Sequence, residues 1–218
     1  MKVRIELLYK TPKRTETNFT SEVMPAGQAV LMAEDLEKTG RAKTITFIDE
    51  AERSWNLKEL KQYMKGIETE PHNIKIYFDG GFDHASRRSG LGCVVYYEQN
   101  GKSLRLRKNA QVDELNSNNE AEYAALHLAL KELELLGVHH LPVQVVGDSQ
   151  VVINQLKGEW PCLESDLSDW ADWIEDKMKE MGIQPEYALV SRKSNREADR
   201  LATQALQDIE ITSTSEMT

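Results

Sequence analysis

The chain has 218 residues, 29% of them charged and 40% hydrophobic, the balance of a globular protein of one large or two small domains. Its 27 Lys and Arg against 36 Asp and Glu leave a net charge of -9, which argues against holding nucleic acid by bulk charge alone. Only Cys93 and Cys162 are present, so there is neither a disulfide framework nor a zinc spacing. No apolar run approaches the ~20 residues that span a bilayer. The start, Met1-Lys2-Val3-Arg4, alternates charged and apolar residues, unlike a signal peptide. The expected setting is cytoplasmic, with reduced thiols and no membrane partner.

Residues 1–67 read as a small α+β domain. Val3, Ile5 and Leu7 alternate with Arg4 and Glu6, the period of a half-buried strand. A turn at Thr11-Pro12-Lys13-Arg14 returns the chain as a hairpin over 16–23. Pro25 and Gly40 bracket a helix whose stripe is Ala29, Met32, Ala33 and Leu36. Residues 44–48 form a strand, and Asn56 caps a helix through 65. This part carries 12 basic against 10 acidic side chains, so the acid excess lies beyond it. It lacks a recognisable motif; a protein partner or self-association is its expected use. Residues 68–73 are polar, contain Pro71 and read as a linker.

The segment 74–210 reads as three meandering strands followed by alternating strands and helices. The strands are Ile74–Phe78, Leu91–Tyr97 and Ser103–Ala110, the last two joined by an Asn100-Gly101 turn. A helix spans 118–136, a strand Val143–Val146, and helices 149–157 and 164–181. A strand at Tyr187–Val190 and a helix over 196–208 complete it. That order implies an α/β fold with a mixed five-stranded sheet flanked by helices. The Ser/Thr-rich tail, 211–218, reads as flexible.

Four carboxylates stand out by position. Asp79 and Asp148 each end a strand, where α/β sheets place their sites. In the 118–136 helix, Ser117 and Glu120 form a capping box, which puts Glu120 with His127, Lys131 and Glu134 on a polar face. Glu122 instead begins the apolar stripe Leu126, Ala129, Leu133, Leu136. Asp199 likewise heads the stripe Ala202, Leu206, Ile209. A lone buried carboxylate is costly unless paired or bound to metal. Four that converge would repel, and a divalent cation relieves that repulsion. All-oxygen ligands favour magnesium or manganese. Two such ions suit in-line displacement at phosphorus.

The segments Asp79-Gly80-Gly81, Asn118-Asn119-Glu120-Ala121-Glu122, Asp148-Ser149-Gln150-Val151-Val152 and Asn195 to Ala202 resemble, in order and spacing, the type 1 ribonuclease H family. The resemblance covers about 73–208. It implies a ribonuclease H-like fold and cleavage of the RNA strand of RNA/DNA hybrids, leaving 5′-phosphate and 3′-hydroxyl ends. It implies two magnesium ions, with manganese able to substitute, on Asp79, Glu122, Asp148 and Asp199. It also implies nucleic-acid contacts at Gly81, Asn118, Asn119, Gln150 and Arg192. Local helix capping is the alternative use of Asn118 and Asn119, and plain surface exposure that of Arg192.

The departures from the family are specific. Where familiar members carry a basic protrusion, residues 159–180 hold eight acids against Lys177 and Lys179. The loop before Asp199, Ser191 to Asn195, lacks the usual His. Residues 1–67 show no hybrid-binding motif. These departures motivate two alternatives: a catalytically weak ribonuclease H-like binding or interaction module, and a relaxed nuclease that also cuts double-stranded RNA.

Overall fold

The computed structural model describes residues 1–217, the side chains of Ile67 and Glu68 excepted. The chain divides into two compact units, Met1–Thr69 and Glu70–Thr218.

The first unit contains β1 (Lys2–Lys10), β2 (Glu16–Thr20), β3 (Met24–Pro25), α1 (Ala26–Lys38), β4 (Ala42–Asp49), β5 (Ser54–Trp55) and α2 (Leu57–Thr69). Its antiparallel sheet has the order β2-β1-β4-β5, with β3 also paired to β1. The alternation in β1 buries Val3 and Ile5 against Ala29, Val30 and Ala33 of α1, Phe47 of β4 and Leu60 of α2. Asn56 and Glu59 exchange backbone-to-side-chain hydrogen bonds at 2.9 Å each, a capping box at the start of α2. That helix continues to Thr69 and the next strand starts at His72. The connection expected over 68–73 is therefore only two residues long. Among the described residues of this unit, Asp49 is the buried acid. Its carboxylate accepts from the backbone of Ala51 and Arg53, from Arg53 Nε and from Trp55 Nε1, which accounts for its burial structurally.

The second unit contains β6 (His72–Asp83), β7 (Arg88–Gln99), β8 (Lys102–Val112), α3 (Asn118–Leu135), β9 (Pro142–Gly147), α4 (Gln150–Leu156), α5 (Ser165–Glu180), β10 (Gln184–Leu189), a 3₁₀ turn (Arg192–Ser194), α6 (Arg196–Leu206) and β11 (Thr212–Glu216). The sheet order is β10-β9-β6-β7-β8-β11. Strands β9 and β10 run parallel to β6 and the remaining pairs are antiparallel, the mixed sheet expected. The sheet has six strands, not five, and the tail through Glu216 is not free. Thr212–Glu216 pairs with Leu104–Lys108. The buried Asn109 pins the approach: its Nδ2 donates to Leu201 O and Ile209 O, and its Oδ1 accepts from Ile211 N at 2.7 Å. Polar, partly β-branched residues suit such an outer strand. Ile76, Phe78, Val95 and Val145 of the sheet pack against Leu126, Leu130 and Leu133 of α3 and Ile174 and Met178 of α5.

Register and close packing position the site. Tyr77 of β6 faces Val146 of β9 in the parallel ladder, so Asp79 lies beside Asp148, which follows the end of β9. Asp79 does not end its strand as expected: β6 runs on to Asp83, and Asp79 is paired with Gly92 of β7. A Cβ on Gly80 would lie 2.1 Å from the Ala121 backbone, so only glycine lets β6 approach α3 this closely. That approach brings Glu122 to Asp79. A Cβ on Gly92 would lie 2.3 Å from Ala198 O, the matching approach of β7 to α6 and hence to Asp199.

Candidate active site

A cleft of about 410 Å³ opens at this end of the sheet, lined among others by Asp79, Glu122, Asp148, Arg192 and Asp199. Asp79, Glu122 and Asp148 can each aim a carboxylate oxygen so that all three lie within 4.8 Å of one another. Asp79 and Glu122 are buried, at 7% and 5% exposure, while Asp148 is half-buried. Burial, followed by the charges of Asp148 and Asp199, pushes the Asp79 carboxyl up to about 7. Burial, followed by the charges of Asp79 and Asp148, pushes that of Glu122 up to about 9. Oε2 of Glu122 is buried with no hydrogen-bond partner. A buried, unpartnered carboxylate oxygen facing two other acids is the donor set that a hard divalent cation fits. The trio could hold a metal.

Asp199 stands apart. It lines the same cleft at 33% side-chain exposure, but its Oδ1 accepts from Arg192 Nη2 at 2.9 Å and Nε at 3.2 Å. The hydrogen bond and charge of Asp199 raise the Arg192 guanidinium further above its usual range. Arg192 itself is 81% exposed, so it is free to turn toward solvent or ligand.

The remaining expected residues fall at different places. Gly81 and Asn118 line the cleft. Asn118 Oδ1 accepts from Phe82 N at 3.3 Å, so it also ties the start of α3 to β6. Asn119 is half-buried on the first turn of α3 and Gln150 is exposed on the first turn of α4; neither lines the cleft. Glu120, expected on a polar face, is 6% exposed. Glu120 N donates to Ser117 Oγ, and the Glu120 carboxylate reaches back past Ser117 to accept from Asn116 N, a capping role displaced by one residue.

One residue of the site was not singled out by sequence reasoning. Asn195, 1% exposed, donates from Nδ2 to Phe78 O at 2.8 Å and to Asp148 Oδ1 at 3.0 Å. It joins the middle of β6, the residue after β9 and the start of α6. An Asn before a helix reads as a cap, yet this side chain makes no cap bond. Ser149 also lines the cleft and caps α4 through Val152 N.

Fold and cleft together define a ribonuclease H-like domain carrying an acidic site that could take a metal. A model of the family described as reverse transcriptase-like matches residues 77–205, and the chain belongs to that family. It is 41% identical over 207 residues to the protein YpeP of Bacillus subtilis strain 168, covering 94% of this chain and 91% of that one. Such a span takes in most of the first unit as well as the second. Among solved structures it is similar to RNase H1 of the halophilic archaeon Halobacterium salinarum, with 26% identity, TM-score 0.53, and 62% of this chain and 98% of that one covered. It is also similar to LC11-RNase H1 in complex with an RNA/DNA hybrid, with 28% identity, TM-score 0.56, and coverage of 62% and 98%. No helix among the described residues is long and apolar enough to cross a membrane.

Proposed function

We propose that the protein is a divalent-metal-dependent endonuclease that hydrolyses the RNA strand of RNA/DNA hybrids, leaving 5′-phosphate and 3′-hydroxyl ends. The observation that carries this reading is the convergence of Asp79, Glu122 and Asp148 within 4.8 Å, two of them buried, with a Glu122 oxygen unpartnered. Asp79, Glu122, Asp148 and Asp199 would hold two magnesium ions, or manganese in their place. When bound, these supply activation of the attacking water and stabilisation of the departing 3′ oxygen.

The protein's own groups perform the positioning. Asp79 and Glu122 form the buried floor, fixed by the close packing at Gly80. Asn195 holds the orientation of Asp148. Asp199 and Arg192 form the exposed wall, and Arg192 is placed to exchange Asp199 for a phosphate of the bound strand. Asn118, beside Gly81, offers an amide that can donate to and accept from a 2′-hydroxyl. Resemblance to a structure solved with an RNA/DNA hybrid supports this choice of substrate.

The test is cleavage of a labelled hybrid by the full chain in magnesium or manganese. RNA-strand cuts are expected, and Asp148→Asn should reduce them by orders of magnitude. Equal cutting by the variant would remove the site from the reaction, and cutting of double-stranded RNA with equal efficiency would replace the substrate assignment.

A further inference from the structure

A second cavity, of about 460 Å³, lies on the outer surface formed by α3 and α5, lined by His127, Asp166, Asp169, Trp170 and Trp173. The four residues from α5 fall at spacings of three, one and three, which places them on one helix face. Part of that face is explained by packing. Trp170 is half-buried against the core, and Asp166 favours the first turn of its helix. Trp173 is 41% exposed, so packing does not account for its outer surface. Its ring lies 6.2 Å from that of Trp170 at 81°, an aromatic corner. The His127 ring stands 3.7 Å from Trp173 at 79°, and its buried Nε2 has no hydrogen-bond partner. Burial holds this imidazole down to about 4, so it is uncharged at neutral pH and does not repel a cation.

The surrounding charge is one-sided. Among the described residues no ion pair is formed by Glu164, Asp166, Asp169 or Asp172, whereas Lys177 and Lys179 at the far end of α5 are engaged with Glu134, Glu175, Asp176 and Glu180. Two indole faces at a right angle with unpaired carboxylates at the rim attract a cationic head group through the ring quadrupole and through charge.

We propose that the Trp170–Trp173 corner, rimmed by Asp166 and Asp169, is a docking site for a lysine or arginine head group presented by a basic segment of a protein partner. The site is separate from the acidic cleft and does not depend on the nuclease reading. It gives the acidic helix a ligand of its own in place of nucleic acid.

The full chain is titrated with a fluorescently labelled arginine–glycine peptide, read by anisotropy and by tryptophan emission. Saturable binding that perturbs tryptophan emission is expected. Trp173→Ala, which leaves the charge unchanged, should weaken binding roughly three- to thirtyfold, the range of a cation–π contact, and Trp173→Phe should fall between the two. If Trp173→Ala does not fold, the exposed Asp169→Asn carries the test with a several-fold loss. The proposal is overturned if no saturable binding occurs, or if Trp173→Ala folds and binds like the parent, which leaves unspecific charge attraction. It is also overturned if a glutamate–glycine peptide or single-stranded RNA binds as tightly.

Discussion

The two acidic regions of the second unit share a sign and differ in everything else. At the cleft, Asp79 and Glu122 are buried with few partners, and the Glu122 carboxyl is pushed up to about 9. Along α5 and the residues that lead into it, eight acids over residues 159–180 stand in solvent, and two lysines pair with part of them. Exposed acids cost little to hold and their ion pairs contribute about 0–1 kcal/mol. Buried acids have lost their hydration and must gain a proton or a cation. Net charge therefore says little about function until burial is known, and the two regions answer differently to the same perturbation.

The largest separation is expected in activity. Asp148→Asn should lower hybrid cleavage roughly 10²–10³-fold, the order lost when one electrostatic group of an active site is removed. Glu175→Gln on α5 should leave cleavage within experimental error. A comparable loss in both variants would erase the distinction.

Gly80→Ala tests how the buried region is built. A Cβ there meets the Ala121 backbone at 2.1 Å, so α3 must move. The expected cost is about 1–3 kcal/mol or more of stability, read by chemical denaturation, with loss of cleavage because Glu122 moves too. Asn195→Ala removes two bonds of a buried amide and should cost ~1–3 kcal/mol. Cleavage should fall further than that stability loss explains at a temperature where the variant is folded, since Asp148 loses its anchor.

The metal-free protein supplies a contrast in pH. Asp79 and Glu122 have folded-state values raised from 3.8 and 4.5 to about 7 and about 9. The unfolded chain therefore releases these protons first, and stability should fall as pH rises from about 4 toward 9. Glu122→Gln should remove part of that decline and be on the order of 1–3 kcal/mol more stable near neutral pH. Urea midpoints across this range would show it; a flat profile would mean the acids are more solvated than their burial implies. The smallest effect belongs to α5, where Asp176→Asn should change stability by no more than about 0.5 kcal/mol.

Much of this architecture was legible in the residues, for physical reasons. The stripe Leu126, Ala129, Leu133 led to Glu122 over Glu120, since helical spacing decides which side chain points at the sheet. A strand end led to Asp148, which follows β9, whereas Asp79 closes only the apolar run of a strand that continues to Asp83 through glycines and polar residues, which carry no apolar period. What escaped depends on tertiary partners. Strand β11 forms because Asn109 and β8 receive it, and nothing local in a Ser/Thr run says so. Two-residue strands β3 and β5 are too short to carry a period. The inward turn of Asn195 to Asp148 and the pairing of Asp199 with Arg192 depend on tertiary placement, which spacing along the chain does not encode.

Under the proposed function the buried acids, and not the exposed ones, hold the metal. Manganese titration followed by amide line broadening in NMR tests it in one spectrum of the full chain. The account predicts that the amides of Gly80, Gly81 and Ser149 broaden first while those of α5 remain sharp. Broadening centred on Asp166 to Glu180, or spread evenly over both regions, would contradict it.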